Sequence, residues 1–258
     1  MKEAHKIYVG FALNEVNAER YKGWNGKLKS AENDIHDMSA IAQTYGYDAS
    51  RIYLGANATT SNLRKVFKDL RKLLKNSIGA TVWFNFSGHG GQILDHETIC
   101  LYDGQIIETD LRNEFFSLGK TTKVITLFDC CHAGGLDRNM FAAMTDVELT
   151  IKAIEPDIAI FAADNVVPSP RAVKKADRAM VKYLMACEKD ESAFDGAKNG
   201  LFTAALKAVL ASDKIPTYTQ TINKASQYTG DLQSPRIVTL PNSEVWSDSE
   251  IIFQNIKK

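Results

Sequence analysis

Short runs of β-branched and aromatic residues alternate along the chain with patterns typical of helices. The runs that predict strands cover residues 6–13, 50–54, 80–86, 123–128, 157–162 and 183–186. Helices are predicted at residues 32–45, 61–76 and 201–210, and from Asp110 onwards. Parallel strands need crossover connections, which are usually helical. The alternation therefore predicts an α/β fold in which helices flank both faces of a mainly parallel central sheet.

The length and charge of the chain limit what it can do. With 258 residues it can bury one sizeable core, so we expect a single domain over residues 1–258. Lys+Arg 31 equals Asp+Glu 31, which favours neither nucleic acid nor a membrane as partner. Because the chain begins without the apolar stretch of a signal peptide and has no run long enough to span a membrane, we expect a cytoplasmic protein.

A polar, basic run at about 165–182 is predicted to be an exposed linker. The oligomeric state is left open.

Two of the predicted strands end in reactive side chains. Residues 80–86 lead into SGHGG at 87–91, and residues 123–128 lead into DCCHAGG at 129–135. Loops that follow neighbouring parallel strands meet at one edge of the sheet, so we expect these segments to lie together. An imidazole beside a thiol stabilises the thiolate, which is the nucleophilic form of cysteine. His89 and Cys131 are therefore predicted to be the base and the nucleophile.

The main chain around these two residues can also contribute. Glycines let peptide N–H groups approach an oxyanion closely, and the N–H groups of Gly90 and Cys131 are the candidates for that hole. Side chains alternate along an extended segment, so Cys130 should point away from Cys131 and remain an inert thiol. The four cysteines form no CxxC pair and are expected to be free, and His132 is predicted to be structural.

In order and spacing, these two segments resemble the histidine and cysteine motifs of the metacaspase family. Residues 26–34, 101–104, 109–111, 186–193 and 200–203 also resemble that family, so that the likeness covers most of residues 6–210. The resemblance implies a caspase-like fold and a cysteine endopeptidase that cuts protein or peptide substrates after Arg or Lys through an acyl-enzyme. It also implies that Asp34, Ser87 and Asp129 bind the basic side chain, because buried carboxylates pair well with such cations.

The resemblance bears on calcium and on self-cleavage as well. We predict that no cofactor is required. Metacaspases often use calcium, however, and the carboxylates at which it could bind are Glu97, Glu108, Asp110 and Asp137. An enzyme that cuts after basic residues could also cut its own linker, where the candidate residues are Arg171, Lys174, Lys175 and Arg178.

Other interpretations remain open. A caspase-fold pseudoenzyme acting as a regulatory binding module would need neither His89 nor Cys131. A metal or redox site built from His89, Cys130, Cys131 and His132 is disfavoured, since adjacent cysteines chelate one zinc poorly. Nucleotide binding is disfavoured because no GxGxxG or Walker loop follows the first strand. Asp34 could merely stabilise a helix start, and Asp129 could merely satisfy backbone donors at a strand end.

Overall fold

The computed structural model describes residues 4–94, 96–131, 149–154, 156–161, 173–188, 191–211, 216–240 and 246–253. The strands are β1 (Lys6–Ala12), β2 (Asp48–Leu54), β3 (Thr81–Ser87), β4 (Gly90–Ile93), β5 (His96–Leu101), β6 (Gly104–Ile107), β7 (Lys123–Asp129), β8 (Thr150–Ile151), β9 (Met180–Met185), β10 (Phe194–Asp195) and β11 (Arg236–Leu240). The helices are α1 (Ala31–Thr44), α2 (Thr60–Leu74), α3 (Glu108–Phe116), α4 (Pro156–Phe161), α5 (Leu201–Leu210) and α6 (Tyr218–Thr229).

The central sheet has six strands in the order β11-β9-β7-β3-β1-β2. All neighbouring strands in it are parallel except β11, which runs antiparallel to β9. In the register of β3 and β7, Ser87 lies opposite Asp129. The two reactive segments therefore leave the sheet side by side, as the sequence predicts. A separate antiparallel sheet, β4-β5-β6, follows His89, and β8 pairs with β10.

The helices cover both faces of the central sheet, and alternation along β3 shows how. Phe84 belongs to one core cluster, which also contains Phe67 of α2 and Phe115 of α3. Trp83 belongs to the other, which also contains the apolar residues of α1, α5 and α6. Neighbouring side chains in a strand point to opposite faces, so each face has its own core. This confirms the predicted mainly parallel sheet with helices on both faces.

Two local predictions need correction. Residues 157–162 were expected to form a strand, but α4 covers Pro156–Phe161. Proline is favoured at the first position of a helix, and a short apolar run does not distinguish a strand from a buried helix.

The linker expected at about 165–182 ends earlier than predicted. Residues 174–177 are exposed, but β9 begins at Met180, and Lys182 is buried. Residues 162–172, which include Arg171, lie outside the described residues. None of the helices in the described ranges is long and apolar enough to cross a membrane.

Candidate active site

His89 lies between β3 and β4 and is 4% exposed. Its Nε2 is 2.8 Å from the Gly26 carbonyl oxygen, and the Trp24 ring packs edge-on against the imidazole with centroids 4.7 Å apart. Nδ1 is buried and has no hydrogen-bond partner among the described residues. Burial lowers the pKa of His89 to about 4, although nearby main-chain groups, including those of Lys152 and Ala153, oppose the shift. The imidazole is therefore neutral near pH 7 and can accept a proton.

Cys131 is the second residue after β7 and is fully buried. Its Sγ accepts a hydrogen bond from the Ala193 N–H at 3.0 Å. Burial raises the pKa of the Cys131 thiol to about 12, although the Ala193 N–H opposes the shift. Cys130 packs in the opposite core cluster from Cys131, as the alternation predicts. Because the two thiols point to opposite faces, they do not form one metal or redox site; His132 lies outside the described residues.

Asp34, Ser87 and Asp129 converge on a fourth side chain, that of Lys152. Its Nζ donates to Asp34 Oδ2 at 3.2 Å, to Ser87 Oγ at 3.0 Å and to Asp129 Oδ1 at 3.1 Å. Water hardly reaches this group, since the side chains of Lys152 and Asp34 are 0% exposed and that of Asp129 is 2% exposed. The three predicted substrate-binding residues thus form one buried acidic pocket, and a lysine of the same chain fills it.

The charges in this pocket depend on one another. Burial lowers the pKa of Lys152, but Asp129 and Asp34 raise it more, so the net shift is upward and the ammonium stays charged. Burial raises the pKa of Asp34 to about 6, and Asp129 adds to the rise while Lys152 opposes it. The pocket therefore needs a cation, because without one two buried carboxylates would repel each other.

Each carboxylate also accepts hydrogen bonds from donors within residues 199–203. Asp129 Oδ2 accepts from both the N–H and the hydroxyl of Thr203, at 2.9 and 2.7 Å. Thr203 lies in the first turn of α5. Oδ2 of Asp129 therefore satisfies a backbone donor, as the simpler interpretation expected. Oδ1 of Asp129 accepts from Lys152. Asp34 Oδ1 accepts from the Gly200 N–H at 2.9 Å and from Asn199 Nδ2 at 3.1 Å. These partners lie far from α1 in sequence, so Asp34 does more than stabilise a helix start.

The two candidate oxyanion donors point at one carbonyl. The N–H groups of Gly90 and Cys131 both donate to the Lys152 oxygen, at 3.0 and 3.4 Å. The Lys152 N–H in turn donates to the Ala193 oxygen at 3.0 Å. Both the side chain and the carbonyl of Lys152 are therefore held by residues that the sequence marked as functional.

Sequence reasoning missed Lys152, Ala193 and Asn199. One signal was available for Lys152, which is the one charged residue within the apolar and β-branched segment LTIKAI at 149–154. A lysine that is buried with such a segment needs acidic partners. No comparable signal marks Ala193, which contributes through its main chain.

The calcium prediction finds little support in the geometry. Among the described residues, no group of three or more His, Cys, Asp or Glu side chains could hold a metal ion. Glu108 forms an ion pair with Arg112 at 3.1 Å, and Glu97 lines the same cavity as Glu108. Asp137 lies outside the described residues. The described carboxylates, Asp110 included, do not fit a calcium site by themselves, because hard cations need several converging oxygens.

Comparison with known proteins identifies relatives of this chain. A model described as "Caspase domain" matches residues 11–238. The chain is 28% identical to Metacaspase-1 of Schizosaccharomyces pombe over 137 residues, which is 45% of this chain and 32% of that protein. It is 23% identical to Metacaspase-6 of Arabidopsis thaliana over 133 residues, 45% of this chain and 36% of that protein. The matched part thus spans about a third of the length of each of these relatives.

Two solved structures resemble the fold. A crystal structure of a protein from Geobacter sulfurreducens superimposes with a TM-score of 0.82 at 24% identity, covering 98% of this chain and 100% of that one. The crystal structure of caspase-1 from Spodoptera frugiperda superimposes with a TM-score of 0.56 at 11% identity, covering 91% of this chain and 87% of that one. At these identities the likeness shows the fold alone, and it agrees with the expected caspase-like architecture.

Proposed function

Because the chain belongs to the caspase domain family of cysteine peptidases, we propose that it hydrolyses peptide bonds after Arg or Lys, with Cys131 as nucleophile and His89 as base. One observation carries this proposal. A lysine side chain occupies the acidic pocket while its own carbonyl oxygen accepts hydrogen bonds from the Gly90 and Cys131 amides. This is the arrangement that a peptidase needs for the residue on the acyl side of the bond it cuts.

The arrangement supports the following sequence of steps. The Cys131 Sγ attacks the substrate carbonyl carbon, and His89 takes the thiol proton. The Gly90 and Cys131 N–H groups stabilise the negative oxygen that develops on the substrate. His89 then gives the proton to the leaving amine, and water hydrolyses the thioester that remains on Cys131. A neutral imidazole, which the lowered pKa of His89 provides, suits the first of these proton transfers.

The pocket supports a basic specificity on electrostatic grounds. A lysine or arginine side chain would replace Lys152 between Asp34 and Asp129, both of which are buried. An acidic side chain would instead bring a third negative charge into a site with little access to water. Arg suits two facing carboxylates because its guanidinium can donate to both.

A second candidate function deserves a test because Cys131 is fully buried with its thiol protonated. In that state the same pocket could hold a basic residue of a partner without cutting it. The chain would then be a regulatory binding module with a caspase fold.

The experiment compares fluorogenic peptides that end in Arg, Lys, norleucine or Asp, with calcium and with a chelator. We expect wild type to cleave the Arg and Lys peptides, and Cys131→Ala to cleave none. Cys130→Ala is the matched control, since Cys130 packs in the opposite core cluster and should keep activity. Cleavage that survives in Cys131→Ala, or equal cleavage after Asp, contradicts the proposal. Binding of an Arg peptide to wild type without any cleavage favours the binding module.

A further inference from the structure

We infer that Asp195 is a positioning residue of the proposed peptidase, which holds the carboxylate of Asp34 at a fixed distance from the main chain of Ala193. This inference rests on the proposed function and deepens it, since it adds a residue on which cleavage after a basic residue depends. In the described part of the chain Lys152 donates to the three pocket residues and not to Asp195, so Asp195 acts through other groups.

Asp195 joins two segments that are far apart in the sequence. Its side chain is buried, its Oδ2 accepts from the Lys29 N–H at 2.6 Å, and its Oδ1 accepts from the Ser30 hydroxyl. Both donors are neutral, and they lie 166 and 165 positions before Asp195. A buried carboxylate that loses such donors is destabilised, because water does not replace them. The two hydrogen bonds therefore tie residues 29–30 to β10.

On one side of this link, Asp195 determines where α1 begins. Ser30 occupies the N-cap position of α1, at which a serine side chain usually accepts a hydrogen bond from the first turn. The Ser30 side chain makes no such bond, and its hydroxyl donates to Asp195 instead. The Ser30 carbonyl oxygen accepts from the Asp34 N–H at 3.1 Å. The position of Ser30 therefore sets the position of Asp34, one helical turn later.

On the other side of the link, Asp195 belongs to the segment that binds the main chain of a basic residue. β10 pairs antiparallel with β8, the strand that leads into Lys152. Ala193, two residues before Asp195, accepts from the Lys152 N–H at 3.0 Å. The Ala193 N–H donates to the Cys131 Sγ, also at 3.0 Å. Residues 193–195 therefore align the main chain of a bound basic residue with the nucleophile.

A substrate's lysine or arginine would thus be held at two points, with its side chain at Asp34 and its main chain at Ala193. Asp195 is the hydrogen-bonded link between these two points. If α1 shifts relative to β10, a side chain that stays in the pocket draws the carbonyl carbon away from the thiol, and small misplacements lower the rate strongly. Gly200 and Asn199 still hold one oxygen of Asp34, which limits the shift.

The experiment separates the hydrogen bonds of Asp195 from its charge, which also reaches the Lys152 ammonium group. Asp195→Asn removes the charge, but its Oδ1 can accept from the Lys29 N–H and its Nδ2 can donate to the Ser30 oxygen. Asp195→Ala removes the charge and both hydrogen bonds. kcat and KM are measured for the Lys and norleucine peptides, and circular dichroism checks the fold.

We expect Asp195→Ala to lower kcat/KM for the Lys peptide roughly tenfold, mainly through kcat. The norleucine peptide should lose less than about threefold, because no charge draws its side chain to the displaced carboxylate. Damage to the fold alone would lower both values equally, so the Lys to norleucine ratio reports the positioning role. Asp195→Asn should keep that ratio within about threefold of wild type.

Ser30→Ala tests the same link from its other end. It should lower the ratio by roughly threefold, since the Lys29 hydrogen bond remains. In the Asp195→Ala background it should have no further effect, because its partner is already absent. Thr122→Ala is the structural control. It removes a buried hydrogen bond to the Leu118 carbonyl just before β7 begins, at the end of the strand away from the site, and should leave the ratio unchanged.

The outcomes separate this inference from the proposed function. If wild type cleaves the Lys peptide but Asp195→Ala and Ser30→Ala keep its Lys to norleucine ratio, the inference alone is overturned. A loss in Asp195→Asn as large as in Asp195→Ala also overturns it, because the charge and not the link then matters. Additive effects of the two alanine substitutions do the same. If Asp195→Ala does not fold, Ser30→Ala and Asp195→Asn decide. A chain that cleaves no Arg or Lys peptide overturns both.

Discussion

Asp34→Asn tests the acidic pocket most directly. In the native structure Asp34 Oδ2 lies 3.2 Å from Lys152 Nζ, and neither side chain is exposed. Asparagine keeps the oxygen that accepts from Gly200 and Asn199, so the local fold should survive. It replaces the other oxygen by an amide NH₂ group, which cannot accept from an ammonium group. The substitution therefore removes one charge from the pocket and also removes the acceptor of the Ser87 hydroxyl, which donates to Asp34 Oδ2 at 2.6 Å.

The size of the effect follows from the burial of the pair. Removing one partner of a buried ion pair costs about 3–5 kcal/mol, and Asp129 and Ser87 remain as partners, so we expect the lower end, about 3 kcal/mol. Since each 1.36 kcal/mol is a factor of ten, kcat/KM for a Lys peptide should fall roughly 100-fold. A norleucine peptide, which has a similar shape but no charge, should lose much less.

The assay is the ratio of kcat/KM for the Lys and norleucine peptides. Both peptides must displace Lys152 from the same pocket, so the ratio does not depend on how readily residues 150–154 leave the site. Asp69→Asn is the charge control, because Asp69 is an exposed residue of α2 and its substitution should leave the ratio unchanged. A Lys to norleucine ratio in Asp34→Asn within twofold of wild type would refute the reasoning about the pocket.

Three further predictions concern His89 and its surroundings. Burial lowers the pKa of His89 to about 4 in the folded protein, whereas the pKa is about 6.5 in the unfolded chain. The unfolded state therefore binds more protons than the folded state between these two pH values. This residue should make the free energy of unfolding rise by about 2 kcal/mol from pH 4.5 to 6.5. In urea unfolding, His89→Asn should lose that rise in the free energy of unfolding. The raised pKa of Asp34 contributes in the opposite direction, but it does so in both wild type and the variant. If the free energy of unfolding of the variant depends on pH as that of wild type does, the assignment to His89 is wrong. Trp24→Ala should expose the imidazole and move the acidic limb of the pH profile of kcat/KM to higher pH, and a limb that stays in place or moves to lower pH argues against burial as the cause. Gly91→Ala should displace Ile154 and with it Lys152, so hydrolysis of the Arg peptide should become faster, whereas slower hydrolysis would contradict the packing described.

Much of the fold could be predicted because it depends on local patterns. The buried strands β1, β3 and β7 are continuous apolar runs, and α2 carries a regular apolar stripe. Residues 157–162 misled the prediction because the five-residue apolar run at 158–162 satisfies either periodicity. The sheet β4-β5-β6 was missed, since its strands have only four to six residues and mix polar with apolar side chains.

The candidate site divides in a similar way. The resemblance to metacaspases implied that Asp34, Ser87 and Asp129 line one pocket, and the geometry brings them to one ammonium group. Cys130 and Cys131 were told apart by alternation, and they do lie in different clusters. The catalytic roles of His89 and Cys131 stay predictions until the peptides and variants above are measured.

The sequence by itself determined which side chains stand at the ends of two neighbouring strands, because strand alternation and the order of the motifs are local properties of the chain. The tertiary structure alone decided what fills the pocket, because Lys152 lies 118 positions after Asp34 in the sequence and meets it only in the folded chain. A buried ammonium group needs carboxylates, but no local pattern states which ones. That choice depends on where residues 149–154 pass over the sheet, and the folded chain alone fixes that path.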